Sequence, residues 1–186
     1  MSLNVAVIVG SLRKGSFSRS VALAVKELAA PRMNLNLVEI GDLPLYNPDM
    51  DENTPAPWAR FRGEVAKVDA VLFVTPEYNR SIPGGLKNAI DVGSRPYGKS
   101  VWQGKPAAIV SVSPGLLGAF GANHHLRQPL VFLDMPVLQQ PEMYLSKAGD
   151  FIGEDGKVNN EATRDFLKTF TGKFADWIER NRGAGR

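Results

Sequence analysis

Cysteine is absent from the 186 residues, which excludes disulfides, thiolate metal sites, iron–sulfur clusters and cysteine nucleophiles. No apolar run approaches the roughly 20 residues that a membrane span needs. The N-terminus passes directly into an apolar segment, with no basic leader region or cleavage site, which points to a cytoplasmic protein. No block of Lys and Arg with interleaved aromatics occurs, so nucleic acid is not the expected partner. Three catalytic signatures are missing as well. Gly10 to Gly15-Ser16 imitates a nucleoside-triphosphate loop, but Ser16 stands where the essential lysine would be, so an ATPase or GTPase reading fails. The dinucleotide pattern Gly-x-Gly-x-x-Gly does not occur, leaving Glu39 as an ordinary surface acid. No Gly-x-Ser-x-Gly nucleophile elbow occurs either. The two histidines, His124 and His125, are adjacent, face different ways and lack an evident acidic partner, so structural or interface roles are expected. Asp49, Asp51 and Glu52 read as a solvated acidic loop, and no metal site is expected.

What is present belongs to one folded domain spanning residues 1–186. Hydrophobic residues make up 44% and charged residues 22%, as in a soluble protein with a single large core. The net charge of +3 and pI near 9.2 are mildly basic and suit anionic cofactors and substrates. Part of the excess sits at Arg180, Arg182 and Arg186.

Apolar runs and helical patterns alternate along the chain. Strands are predicted at 3–9, 35–40, 69–75 and 106–112, with a short fifth at 137–139. Helices are predicted at about 18–30, 58–67, 84–92 and from Gly121 to about 133. A hairpin-like piece follows around Asp155-Gly156. A long last helix over 160–181 is expected to carry Phe166, Phe170, Phe174, Trp177 and Ile178 as its core stripe. Five alternations argue a doubly wound α/β sheet with helices on both faces, whose ligand sits beyond the carboxyl ends of the strands. Three strands end in loops rich in small and polar residues, and these loops should converge on one edge.

The first loop, Gly10-Ser11-Leu12-Arg13-Lys14-Gly15-Ser16-Phe17-Ser18-Arg19, joins a buried strand to a helix. Its amides and the helix dipole make an anion cradle. Ser11, Ser16 and Ser18 add hydroxyl donors and Arg13 a forked cation, which together suit a monophosphate. In the second loop Pro76 stiffens the chain and Tyr78 offers a flat face. The backbone of Glu77 to Asn79 offers donors and acceptors in a row, suited to the pyrimidine edge of a flavin. In the third, Gly115, Gly118 and Gly121 let backbone come close to a ring.

These residues, with Ser81-Ile82-Pro83-Gly84-Gly85-Leu86-Lys87-Asn88-Ala89-Ile90-Asp91, His125-Leu126-Arg127-Gln128 and Leu43-Pro44-Leu45-Tyr46-Asn47, carry a resemblance. The chain resembles the NAD(P)H-dependent FMN reductases of flavodoxin-like fold, most closely their bacterial quinone and chromate reductase branch. The resemblance implies a five-stranded parallel sheet of that fold and FMN as cofactor. It places the FMN phosphate on Ser11, Arg13, Ser16 and Ser18, with Phe17 in the same loop. The isoalloxazine would lie against Pro76, Glu77, Tyr78 and Asn79, with Ser113, Gly115 and Gly118 lining the site. Relatives often carry Asn where this chain has Ser18, and an aromatic or small residue where it has Arg80. Arg80, Arg95 and Lys99 are candidates for attracting an anionic nucleotide or oxidant. The implied reaction passes a hydride from NADPH or NADH to flavin N5 and then reduces quinones, chromate or similar small oxidants, with no catalytic side chain required. A homodimer or homotetramer is implied. The competing reading is a flavodoxin-like electron carrier without NAD(P)H oxidation, against which the basic charge and the open Gly-rich ring loops argue.

Overall fold

Alternate residues of the central strands feed two different hydrophobic cores. In strand β1 (Leu3–Val9), Val5, Val7 and Val9 enter one core, while Ala6 and Ile8 enter the other. Side chains of successive strand residues point to opposite faces, so a run apolar at nearly every position must be covered on both. The computed structural model describes residues 2–182; Arg186, counted above among the terminal cations, lies outside the described residues.

The elements then follow in order: α1 (Phe17–Leu28), β2 (Met33–Leu37), α2 (Ala56–Ala66), β3 (Ala70–Thr75), α3 (Gly84–Gly93), β4 (Ala107–Val112), α4 (Phe120–Phe132), β5 (Met143–Leu145) and α5 (Glu161–Asn181). All strand pairings are parallel, and the spatial order is β2-β1-β3-β4-β5. Helices α1 and α5 cover one face and supply Val21, Val25, Phe170, Phe174 and Ile178. Helices α2, α3 and α4 cover the other with Trp58, Phe61, Leu86, Ile90, Leu126 and Leu130. The strand order turns back at β1, which has β2 on one side and β3 on the other. The crevice at that reversal is where an open α/β sheet binds ligands.

Local chemistry explains the helix boundaries. The Ser16 hydroxyl caps α1 by accepting the Arg19 amide at 3.2 Å, and Asn160 caps α5 through Thr163 at 2.9 Å. In α5 the buried positions are Leu167, Phe170, Thr171, Phe174, Ala175 and Ile178, an unbroken i, i+3, i+4 stripe. Phe166, expected in that stripe, lies one position out of phase and is 39% exposed. Trp177 flanks the stripe and donates its indole N–H to the Pro136 carbonyl at 2.8 Å.

The fifth strand is displaced from its expected place. Val137 makes one parallel bridge with Ala107, whereas the paired strand is Met143–Leu145, in register with Val110–Val112. Both touch the same side of β4. Between them the chain leaves the ladder around Pro141, which has no N–H to donate. The hairpin-like piece is present as an antiparallel bridge between Ile152 and Val158.

The loop after α3 returns a tryptophan to the core. Trp102 is fully buried and donates to the Ile90 carbonyl at 2.9 Å. A Cβ on Gly93 would lie 2.5 Å from its ring. Gly93→Ala therefore forces Trp102 out of position and should cost about 2–3 kcal/mol, as overpacking of a full core does. Urea unfolding monitored by tryptophan fluorescence should show a lower midpoint with an unchanged slope.

Candidate functional site

The three loops do meet at the carboxyl edge of the sheet. Gly10 sits so close to the second loop that a Cβ there would be 3.0 Å from Thr75 Oγ1 and 3.3 Å from Pro76 Cδ. The second loop in turn touches the start of α4, where the Ala122 amide donates to Glu77 Oε2 at 3.0 Å. The third loop is tied to the chain beyond β5 through Ala148 N–H to Ser113 O and Lys147 N–H to Gly115 O, both 3.1 Å. The loops thus lie side by side in the order of their strands, β1, β3, β4.

The first loop is shaped to receive an anion. The amides of Leu12, Lys14, Gly15, Phe17 and Ser18 have no protein partner among the described residues. Ser11 Oγ accepts the Arg13 amide at 3.4 Å. Ser16 is buried with its oxygen engaged as the cap of α1, which leaves its O–H proton free to donate. Ser18 is 1% exposed, and its hydroxyl takes no partner among the described residues. No buried side-chain polar atom there is orphaned, so the sliver of Ser18 that solvent reaches is its hydroxyl. The Arg13 guanidinium lies 5.8 Å from the centre of the Phe17 ring and donates to Gly15 O at 3.2 Å, which holds it over the loop. Gly15 needs its left-handed backbone, φ +63°, to turn the chain into α1. A cleft of about 650 Å³ opens beside this loop, bounded by Arg13, Lys14, Arg19 and the chain leaving β2 at Val38 to Gly41. Glu39 faces that cleft and pairs with Arg19 at 3.5 Å.

The second loop is a two-residue hairpin. Tyr78 N–H donates to Ser81 O at 2.9 Å and Ser81 N–H to Tyr78 O at 3.0 Å, with Asn79 and Arg80 between them. Tyr78 is 49% exposed, so its ring is available as a surface. Glu77 turns inward instead. One carboxylate oxygen holds the first turn of α4 and the other accepts from Arg80 at 2.6 Å. Its side chain therefore works as a brace between two loops, a role that composition did not announce.

Two glycines of the third loop pack closely against protein on their Cβ side. A Cβ on Gly118, φ +56°, would fall 2.6 Å from the Tyr144 carbonyl carbon, and one on Gly121 would fall 2.9 Å from Glu77 Oε2. Both lack side chains to let protein pack. At Gly115 a Cβ would meet nothing nearer than Ser113 Oγ at 3.7 Å. Beneath them Ser111 Oγ donates to Gly118 O at 2.8 Å and receives the Asn123 amide at 3.3 Å. Leu116, Leu117 and Phe120 stand exposed along the rim.

Further side chains complete the surroundings. His125 Nδ1 lies 2.7 Å from Ser81 Oγ, and His124 Nε2 2.9 Å from the Tyr144 hydroxyl, so the two face different partners, as expected. Asp51 is less solvated than expected, since it accepts the Tyr46 hydroxyl at 2.9 Å and pairs with Arg62 at 3.3 Å. Asn88, which the sequence reading did not single out, is the staple of the long loop after β2. It accepts the Tyr46 amide at 2.8 Å and donates to the carbonyls of Leu43 and Pro44. Arg95 is half-buried beside Tyr46, and Lys99 is exposed.

A five-stranded parallel sheet in the order 2-1-3-4-5, with three loops meeting at its reversal point, defines a flavodoxin-like α/β protein. The profile of the NADPH-dependent FMN reductases matches residues 3–150, and the chain belongs to that family. A quinone reductase of Pseudomonas putida is 61% identical over 180 residues, covering 96% of each chain. A 2-hydroxy-1,4-benzoquinone reductase of Burkholderia sp is 45% identical over 182 residues, covering 98% of this chain and 100% of that one. Among solved structures, FerB, a flavoenzyme NAD(P)H:(acceptor) oxidoreductase from Paracoccus denitrificans, has a TM-score of 0.91 at 42% identity, covering 96% of this chain and 98% of that one.

Tyr144 adjoins this region through His124. Burial first, then the nearby Glu142 carboxylate, pushes its hydroxyl up to about 12. The folded state thus holds that proton more tightly than the unfolded chain, whose tyrosines titrate near about 10. The stabilisation is fully present below about pH 10 and is lost as the pH rises through about 12. A titration of tyrosinate absorbance should show a step near pH 12 that Tyr144→Phe removes.

Proposed function

We propose that the protein is an FMN-dependent reductase that oxidises NAD(P)H and reduces quinones and similar small oxidants. The observation that carries this reading is the first loop. Five amides without protein partners among the described residues, the Ser18 hydroxyl and the Arg13 guanidinium belong to this one loop at the end of β1. That donor set fits a phosphate monoester, and Glu39, the carboxylate in the adjoining cleft, is paired with Arg19.

Ser11, Arg13, Ser16 and Ser18 hold the FMN phosphate in this reading, with Phe17 supporting Arg13 from below. Pro76, Glu77, Tyr78 and Asn79 present the hairpin backbone to the ring, and Ser113, Gly115 and Gly118 bound its other side. Bound FMN supplies a ring that accepts a hydride from NAD(P)H at N5 and passes it to the oxidant. The chain's own part is to position and to polarise. Backbone amides of the hairpin would stabilise the negative charge that develops at the pyrimidine end on reduction. The exposed strip of Tyr78, Leu116, Leu117 and Phe120 gives a planar apolar oxidant a surface to lie against. Hydride transfer asks no side chain to serve as acid or base.

Chromate remains within this reading as a small oxidant. Assembly into a homodimer or homotetramer is supported by Val131 and Phe132 at the end of α4, which are 73% and 85% exposed beside buried Leu130. No helix among the described residues is long and apolar enough to cross a membrane.

The test is anaerobic mixing of the FMN-loaded protein with NADPH or NADH. The flavin band should bleach within seconds and return on addition of a quinone. A yellow protein that neither nucleotide bleaches would leave an electron carrier instead. Arg13→Ala should weaken FMN binding about 10- to 100-fold, the range for a hydrogen bond to a charged group, read as quenching of FMN fluorescence on titration.

A further inference from the structure

The backbone at Asn79 and Arg80 is left-handed at both positions, with φ of 51° and 64°. Between the reciprocal Tyr78 and Ser81 bonds this makes the hairpin turn that glycine fills best at its second position. A left-handed residue with a Cβ costs about 1–2 kcal/mol, and asparagine is the tolerated exception because its short polar side chain bonds locally. Arginine has no such relief. A long cation therefore stands where a glycine would fold more easily.

Its side chain is 75% exposed, against 11% for Glu77. One of its five N–H donors is engaged among the described residues, on Glu77 Oε1 at 2.6 Å. Glu77 is fixed through its other oxygen, which holds Ala122. The arginine is thus tethered by one exposed charge contact to an immobile partner, and such pairs contribute about 0–1 kcal/mol. It is held loosely, oriented, and left with free donors beside the ring hairpin.

This inference rests on the reductase reading. The hydride donor is a nicotinamide nucleotide, which carries a pyrophosphate; the quinone that follows it is uncharged. Arg13 and Lys14 belong to the first loop and its own phosphate. We propose that Arg80 is the phosphate anchor for the nicotinamide nucleotide, resting on Glu77 in the free protein and turning its guanidinium to the pyrophosphate when NAD(P)H docks. A forked guanidinium matches phosphate oxygens in pairs. Glu77 competes for the same donors, which keeps the grip weak enough for NAD(P)+ to leave before the oxidant takes its place.

Steady-state kinetics of the FMN-loaded enzyme with two hydride donors test this, NADPH and the phosphate-free dihydronicotinamide riboside. Arg80→Ala and Arg80→Gly should each raise KM for NADPH about tenfold, the loss expected for one charge-assisted bond, with kcat unchanged. KM for the riboside should not move, and the salt dependence of kcat/KM with NADPH should flatten. Arg80→Gly should also melt no lower than the parent, since it relieves the left-handed backbone. A purely structural arginine predicts the reverse, with both donors affected alike or a defect that follows stability. An Arg80→Gly enzyme that keeps the parental KM for NADPH overturns the anchor while leaving the reductase reading intact. A parent protein that oxidises neither donor overturns both.

Discussion

One nearly buried carboxylate holds the ring edge of the site together. Glu77 leaves the end of β3 and binds the first turn of α4, where unpaired amides and the helix dipole favour a negative charge. The missing side chain at Gly121 leaves room for it. Through this contact a hairpin from β3 and a helix that starts beyond β4 share one position. On the far side, Ser111, Asn123 and the Gly118 carbonyl form a second buried polar network that ties α4 back to β4 and β5. A buried polar group without a partner costs about 1–3 kcal/mol, so each of these bonds is strongly specified. The loops are consequently set by the protein itself.

Much of this was legible in the chain. The apolar runs of β1, β3 and β4 could only be strands covered on both faces, and Gly, Ser and Pro punctuate the three loops at their ends. The place of the first loop, between a buried strand and the helix that Ser16 caps, was legible because its glycines and serines mark a strand-to-helix turn. What failed was whatever depends on contacts distant in sequence. The edge strand was read at Val137 to Gln139, whereas β4 pairs Val110 to Val112 with Met143 to Leu145. Phe166 is as apolar as Phe170, and only the rotation of α5 against the sheet turns it outward.

The glycines of the third loop teach the same lesson from the other side. A glycine in a site loop invites the reading that ligand comes close. At Gly118 and Gly121 the close neighbours are the Tyr144 peptide and the Glu77 carboxylate, so their smallness serves the framework. The bracing side-chain roles of Asn88 and Glu77 were silent for a related reason, since a polar residue on a helix or in a loop shows its partners only once the chain has folded.

Helix α1 has a double life. Its first turn borders the loop proposed to hold the phosphate, and its buried face, Val21 and Val25, sits in the same core as Phe170, Phe174 and Ile178 of α5. Whatever occupies the cradle is therefore coupled by mass action to one entire layer of the fold. A ligand present at a hundred times its dissociation constant adds about 2.7 kcal/mol to native stability, a large share of what a domain of this size possesses. Cofactor supply would then govern how long the polypeptide survives in a cell as well as how fast it turns over, and chains lacking flavin would be the first to be cleared by proteases.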